Sequence, residues 1–311
     1  MAARRRSAAG LPGHRLASPV SKATAFAEPR ETNAGGVPVS VMIFTLNEEI
    51  HLSGCLQSVA WCDDAIVVDS FSTDATERIC RERGVRFVQH VFEGFGAQRN
   101  WALDHVPTKH PWVLILDADE RVPNELVDEI SRRLASIGAE VGAYRVRRRF
   151  HMWGRWLRRS SLYPSWVVRL VHKDRVRYVN RGHSETQAVD GRIEDLEHDL
   201  IDENLKGIDE WIDRQNAYSR KDAEHELVQA AYGKSLQDLF ARDPLCRRAA
   251  LKTIASRMPA RGLLYFLYAY VWRLGFLDGR DGFVLCRMRA LYQTMVAIKK
   301  YDAGRRPGGQ H

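Results

Sequence analysis

The chain has 311 residues, 45% of them hydrophobic, enough for one large core or two modest ones. Lysine and arginine outnumber acids 47 to 39, a net charge of +8, and no window approaches the roughly 20 apolar residues of a membrane span. Five cysteines, odd in number and without a C-x-x-C pair, argue for a reducing compartment and against a zinc site.

Residues 1–36 hold six basic residues and two acids among Ala, Ser, Gly and Pro, with no strand or helix period. This stretch reads as a disordered basic tail. It shares an Arg-rich, acid-poor composition with organelle-targeting peptides and lacks an apolar core for secretion.

From Pro38 a regular alternation begins. "VSVMIFT" (39–45) has the length of a buried strand and runs to Asn47, a good helix cap. Ile50, Cys55, Leu56 and Val59 follow at helical spacing. "AIVVD" (65–69) is a second strand, with a helix over 75–83. "VRFVQH" (85–90) is a third, followed by a helix through Trp101 and His105. "WVLILD" (112–117) is the fourth, and Pro123 opens a helix whose Leu126, Val127, Ile130 and Leu134 share one side, closed by Gly138. Such alternation means a parallel sheet covered on both faces. Sheets of this kind bind ligands at the carboxyl ends of their strands, where Asp69, Asp117 and Asp119 stand.

The second half differs. "AYRVRRRF" (143–150) and "SWVVRLVHKDRVRYV" (165–179) read as strands, the second as a hairpin turning at Lys173-Asp174. From Glu203 to about Ala231, Leu205, Ile208, Trp211, Ile212 and Tyr218 give an amphipathic helix, and further helices run to about Tyr301.

The D-A-D of residues 117–119 ends an apolar strand. Read as strand, Asp117 and Asp119 share a face, and two carboxylates that close need a proton or a divalent cation between them. The bland reading is an acid capping the next helix. A D-x-D also opens haloacid-dehalogenase phosphatases, but there it lies on the first strand and a small hydroxyl residue follows; here Glu120-Arg121 follow. "GFGAQR" (94–99) is a broken dinucleotide fingerprint after the wrong strand and reads as a tight turn.

"SVMIFTLNEEIHLSGCLQSV" (40–59), "AIVVDSFSTDATERI" (65–79), "GFGAQRNWAL" (94–103) and "WVLILDADERV" (112–122), in this order and spacing, closely resemble the family 2 glycosyltransferases. Among these, they are similar to lipopolysaccharide-core glucosyltransferases. The resemblance covers residues 39 to about 220, with a weaker match through 266–283. It implies an α/β GT-A fold with a mostly parallel sheet and a C-terminal helical extension. The domains it implies are a catalytic domain at 37–200, a helical region at 201–303 and a flexible tail at 304–311. It also implies a nucleotide-diphosphate sugar donor and inversion at the anomeric carbon. Carried over by position, Thr45, Asn47 and Glu48 flank the nucleoside and Asp69 contacts the base. Asp117 and Asp119 form the D-x-D, with Asp119 as metal ligand. The family's D-D-G-S turn is Asp69-Ser70-Phe71-Ser72 here, so its second aspartate is absent and Phe71 replaces a glycine.

The chemistry of the residues agrees. A Mg²⁺ or Mn²⁺ held by carboxylates neutralises a leaving diphosphate, and Arg99, Arg169 or an arginine of 145–159 would add phosphate contacts. That cluster, seven arginines with Trp153 and Trp156, also suits nucleic acid or a solvated strand face. An anionic acceptor or membrane headgroups fit better, because a nucleic-acid binder has no use for the aspartates. In "NRGHSET" (180–186), Glu185 and then His183 are the candidate bases for the acceptor hydroxyl; the alternative is a turn with a capping glutamate. His198 is a candidate to complete the metal sphere or a surface histidine.

"RGLLYFLYAYVWRLGFLD" (261–278) spans about 25 Å as a helix at ~1.5 Å per residue. It reads either as a helix lying in the headgroup boundary of an anionic inner leaflet or as a core helix. The expectation is a cytoplasmic, metal-dependent transferase in cell-envelope glycan or lipopolysaccharide assembly, acting on a glycan or lipid-linked acceptor. The competing class is a non-catalytic basic module on a degenerate scaffold of the same fold.

Overall fold

The computed structural model describes residues 36–181, 184–231, 258 and 260–305. Residues 1–35 and 306–311 of the two expected tails, and the candidate base His183, lie outside the described residues.

The first half follows the hydrophobic pattern. Strands β1 (Val39–Thr45), β2 (Ala65–Asp69), β3 (Arg86–Gln89) and β4 (Trp112–Asp117) are parallel, in the order β3-β2-β1-β4. Their connections are α1 (Glu49–Ser58), α2 (Thr76–Glu82) and α3 (Phe95–His105). Every residue of β1 is buried because both faces are covered. On one face Val41, Ile43, Leu114 and Leu116 meet Leu52 and Leu56 of α1 and Leu126 and Ile130 of α4 (Asn124–Ala135). On the other, Met42, Phe44, Val113 and Ile115 meet Ala102 and Leu103 of α3. Two-sided burial is what turns these strands into continuous apolar runs.

The remaining sheet is mixed. Two-residue β5 (Glu120–Arg121) follows the D-A-D turn, and β6 (Val141–Met152) carries the arginine cluster, with the short β7 (Arg155–Trp156) paired on it. Strand β8 (Ser165–His172) inserts antiparallel between β4 and β6, and β11 (Arg192–Asn204) runs parallel to β6 and antiparallel to β5. β11 carries the sheet to Asn204, past the boundary expected at 200. The helix expected from Glu203 begins later, as α5 (Ile208–Ala231).

The hairpin expected over 165–179 does not form. β9 (Val176–Arg181) leaves the sheet and pairs instead with β10 (Ser184–Val189), because β8 is already flanked by β4 and β6. Glu185 therefore sits in a strand opposite Asn180, not in a helix cap. Asn47 is not a helix cap either: its backbone is left-handed (φ 54°) and its side chain turns to the next loop. α4 starts after Pro123 without a side-chain cap, so Asp119 does not serve there.

The segment 261–278 is not one helix. An α-turn, α6 (Arg261–Phe266), widens into π-helix over Leu267–Trp272, where the Arg273 amide donates to the Tyr268 carbonyl at 2.8 Å. Leu274 is left-handed, and a 3₁₀ turn (Gly275–Asp278) leads into α7 (Gly279–Ala303). Gly282 allows that return: a Cβ there would lie 2.4 Å from the Gly275 carbonyl oxygen. Asp278 ties the helices to the sheet, accepting bonds from the amides of Arg159 (2.9 Å) and Ser160 (2.7 Å) and from the Ser160 hydroxyl (2.7 Å).

At the amino end of the sheet Asp64 is buried and accepts from Ser40 Oγ (2.5 Å), the Lys109 amide (2.7 Å) and Arg86 (2.7 Å). Burial pushes its carboxyl up, but these donors outweigh burial and hold it below the ordinary range. A depressed carboxyl adds stability that is fully present above its unfolded pKa of about 3.9 and is lost as pH falls through the folded value. Asp64→Asn should therefore cost about 1–3 kcal/mol at neutral pH. In urea unfolding the gap from wild type should stay constant above about pH 5 and close below pH 4; a gap independent of pH would contradict the assignment.

Candidate active site

The loops after β1 and β2 are cross-tied. The Asn47 amide donates to Ser72 Oγ (2.7 Å), Asn47 Oδ1 accepts from the Thr73 amide (2.8 Å), and the Glu48 amide donates to Thr76 Oγ1 (3.0 Å). The free first amides of α1 are thus capped from the neighbouring loop, Glu49 by Asp74 Oδ2 at 3.0 Å. Asp69 is fully buried and accepts from Thr45 Oγ1 (2.8 Å), the Ser72 amide (2.8 Å) and hydroxyl, and Gln89 Nε2 (3.2 Å). Four bonds fill a carboxylate's acceptor capacity, so in this arrangement Asp69 organises the two loops. Phe71 projects from the second loop in left-handed conformation (φ 60°), half exposed. Glu48 is held by His51 Nδ1 (2.6 Å) and Lys206 Nζ (2.7 Å), which joins the start of the helical region to the β1 loop.

Asp117 and Asp119 part company. Asp117 ends β4, whereas Ala118 and Asp119 form a turn, because the next residues enter β5 and pair with β11. The shared strand face expected for the two aspartates is therefore absent. Asp117 lies between two arginines: Arg99 Nη2 at 2.7 Å and Arg169. Burial raises its carboxyl, but Arg169 and Arg99 dominate and hold it well below the usual range. Arg169, buried on β8, also binds Glu120 Oε1 at 2.6 Å, and Glu120 Oε2 accepts from the Asp117 amide at 3.0 Å.

The Asp119 backbone carbonyl accepts from the Glu203 amide at 2.8 Å, but its carboxylate has no hydrogen-bond or ion-pair partner among the described residues. Burial, followed by Asp202, Asp117, Glu120 and Glu48, pushes its carboxyl well up. A group raised this way by surrounding acids marks a point of negative potential that a cation would relieve. Asp119 is the carboxylate at this point that could hold a divalent cation. No three metal-ligating side chains converge among the described residues.

Arg99 is 5% exposed and lies within 6 Å of the Phe44, Phe95 and Tyr178 ring centroids. It also pairs with Glu185, so one guanidinium joins that residue to Asp117. Arg99 Nε, Glu185 Oε2 and the Tyr178 hydroxyl are buried without partners among the described residues. His198 lies at the surface, turned to α4, with its Nδ1 2.8 Å from Glu129 Oε2. Sequence reasoning passed over Glu120 and Asp202, cross-strand neighbours on β5 and β11, with Arg148 3.2 Å from Asp202. The one local sign was the charged pair directly after the D-A-D.

Arg169→Met should leave Asp117 and Glu120 buried without their shared cation, which typically costs about 3–5 kcal/mol. Urea unfolding measures it. A loss below about 1 kcal/mol would show that Arg169 is dispensable to the fold.

Residues 40–192 match the family model described as "Glycosyl transferase family 2". A curated relative, "Lipopolysaccharide core biosynthesis glycosyltransferase LpsC" of Rhizobium meliloti (strain 1021), is 26% identical over 277 residues, 86% of this chain and 93% of that protein. An uncharacterized glycosyltransferase of Rickettsia typhi, RT0209, is 27% identical over 79% of this chain and 80% of its own length. Among solved structures, S. aureus TarS 1–349 in complex with UDP superposes with a TM-score of 0.39 at 16% identity, over 88% of this chain and 94% of that one. M. tuberculosis glucosyl-3-phosphoglycerate synthase, in complex with Mn²⁺, UDP-glucose and phosphoglyceric acid, gives a TM-score of 0.31 at 25% identity, over 37% and 45%. With its parallel β3-β2-β1-β4 core and D-A-D at the end of β4, the chain has the GT-A fold, and its residues 40–192 belong to glycosyltransferase family 2.

Proposed function

We propose that this enzyme transfers a sugar, with inversion, from a nucleoside-diphosphate donor to a cell-envelope glycan or lipopolysaccharide-type acceptor. The observation that carries the reading is the division of labour at the D-A-D: Asp117 is neutralised by two arginines, whereas Asp119 is left open among acids. A phosphatase using the D-x-D, or a degenerate binding module, gives no reason for that asymmetry.

In this reading the nucleoside lies along the cross-tied loops of Thr45, Asn47, Glu48 and Asp69. Asp119 holds the divalent cation, Mg²⁺ or Mn²⁺, which when bound neutralises charge on the leaving diphosphate as a Lewis acid. Arg99 and Arg169 keep Asp117 ionised, and Arg169 ties it to Glu120, so the rim stays rigid as the donor enters. The acceptor oxygen attacks the anomeric carbon as the bond to the diphosphate breaks, and the hydroxyl proton passes to a carboxylate. Glu185 is the first choice for that base, since Arg99 holds it one guanidinium from Asp117. Asp202 is a second, because it and Asp119 line one cavity.

Asp119→Asn should lower metal-dependent transfer by roughly 10²–10³ with the fold intact, measured with UDP-, GDP- and ADP-sugars and Mn²⁺. Glu185→Gln and Asp202→Asn in the same assay separate the bases: the one that abolishes transfer yet keeps donor affinity by calorimetry carries the proton. Full activity of Asp119→Asn with Mn²⁺ still required would sink the D-A-D assignment.

We further propose that the enzyme works on the cytoplasmic face of the membrane, with the 261–278 segment on anionic lipid. No helix among the described residues is long and apolar enough to cross a bilayer. Support comes from an apolar face of Leu263, Leu267, Tyr268, Val271 and Trp272, the last 80% exposed, with exposed Arg280 and Arg287 nearby on α7. Tryptophan, tyrosine and arginine are the side chains that favour a headgroup boundary. Liposome flotation should rise with phosphatidylglycerol content, weaken with salt, and fall in Tyr268→Ser/Trp272→Ser. Absence of flotation on anionic vesicles at low salt would refute it.

A further inference from the structure

Between the outer rim of the sheet and the helices lies a cavity of about 340 Å³. The sheet side supplies Asp119 and Asp202, and the helices supply Trp211 and Arg214 from α5 and Arg289 and Gln293 from α7. The cavity thus begins at the open aspartate and extends away from the β1–β2 loops into the helical region. Its volume suits a saccharide unit.

The two arginines give it a chemical preference. A guanidinium has five N–H donors. Arg289 donates to the Ser160 carbonyl at 3.4 Å and lies over the Phe150 ring, but meets no carboxylate among the described residues. Among the described residues Arg214 has Glu210 one turn earlier, at 3.7 Å, and its buried Nε has no partner there. The nearby arginines of β6 behave differently: Arg145 and Arg147 each have a carboxylate from β11, Asp195 and Asp199. Under-used guanidinium groups beside an indole and an amide offer an anion site, a stacking surface and a hydroxyl partner together.

We infer that this cavity binds an anionic sugar of the acceptor, one bearing a carboxylate or a phosphate. The anion sits on Arg289 and Arg214, the ring lies against Trp211, and a hydroxyl faces Asp119 and Asp202. That the ligand is an acceptor rests on the sugar-transfer reading; the cavity's preference for anionic sugars does not.

The test is binding to the full-length protein, without turnover. Glucuronate, glucose 6-phosphate, methyl glucoside and inorganic phosphate are titrated by ligand-observed NMR, with UDP, GDP and ADP titrated in parallel. Both charged sugars should bind at least tenfold tighter than methyl glucoside and tighter than phosphate. Arg289→Gln and Arg214→Gln should each weaken them at least fivefold, Arg289→Lys should restore part of the loss, and nucleotide affinity should not move. Circular dichroism checks that each variant folds. A tighter phosphate ester assigns the phosphorylated class, and a tighter glucuronate the carboxylated one. Equal binding of methyl glucoside, binding no tighter than phosphate, or unchanged affinity in both arginine variants overturns the inference. Charged sugars binding as described to a protein that binds none of the three nucleotides would leave the cavity standing and remove the sugar-transfer reading.

Discussion

A buried arginine on an inserted antiparallel strand holds the catalytic rim together. Arg169 binds Asp117 at the end of β4 and Glu120 at the start of β5, while the Asp117 amide donates to Glu120. Two carboxylates beside each other in a low-dielectric interior would repel and take up a proton. With the guanidinium between them, Asp117 is ionised and the chain must turn sharply at Ala118. That turn projects Asp119 clear of the arginines. β8 is thus more than an extra strand, since its place beside β4 brings Arg169 to the rim.

The same arrangement accounts for the inequality of the two aspartates. Asp117 faces Arg99 and Arg169 and is committed to structure; the Asp119 carboxylate faces other acids and has no partner among the described residues. Carboxylates at structural sites are paired, because leaving one unpaired is costly. An unpaired one in a ring of acids is the feature on which the proposed cation site rests. The pairing of Glu185 with Arg99 extends the network towards the β9–β10 hairpin, so Asp117 and Glu185 share one guanidinium.

How much of this was legible depended on how local the cause was. The four parallel strands could be read because burial on both faces imposes runs such as "VSVMIFT" and "WVLILD". The D-A-D could be read because acids rarely end such runs without a use. The geometry of the pair could not, since it is set by Arg169 and by β11, far along the chain. "VHKDRV" has the local look of a hairpin turn, yet β8 finds both its partners elsewhere and sends β9 to β10. Asn47 has a capping residue's chemistry, but the loop after β2 recruits its side chain first. The π-helical turn at 267–272 was hidden because a short, wholly apolar run gives no period to read.

The helical region completes the site as well as following it. Lys206 grips Glu48 in the β1 loop, the Leu205 amide donates to His51 Nε2, and Asp278 anchors α7 to the turn after β7. These contacts hold α5 and α7 against the rim at fixed points while leaving the surface between them free to vary. The β1–β2 end is built from loops tied to the parallel strands, whose burial restricts change. The opposite end is built from two helices, whose half-buried Trp211, Arg214, Arg289 and Gln293 line the cavity. A fold divided in this way can vary one end of its cleft while keeping the other, because side chains on the helices carry little of the stability of the sheet.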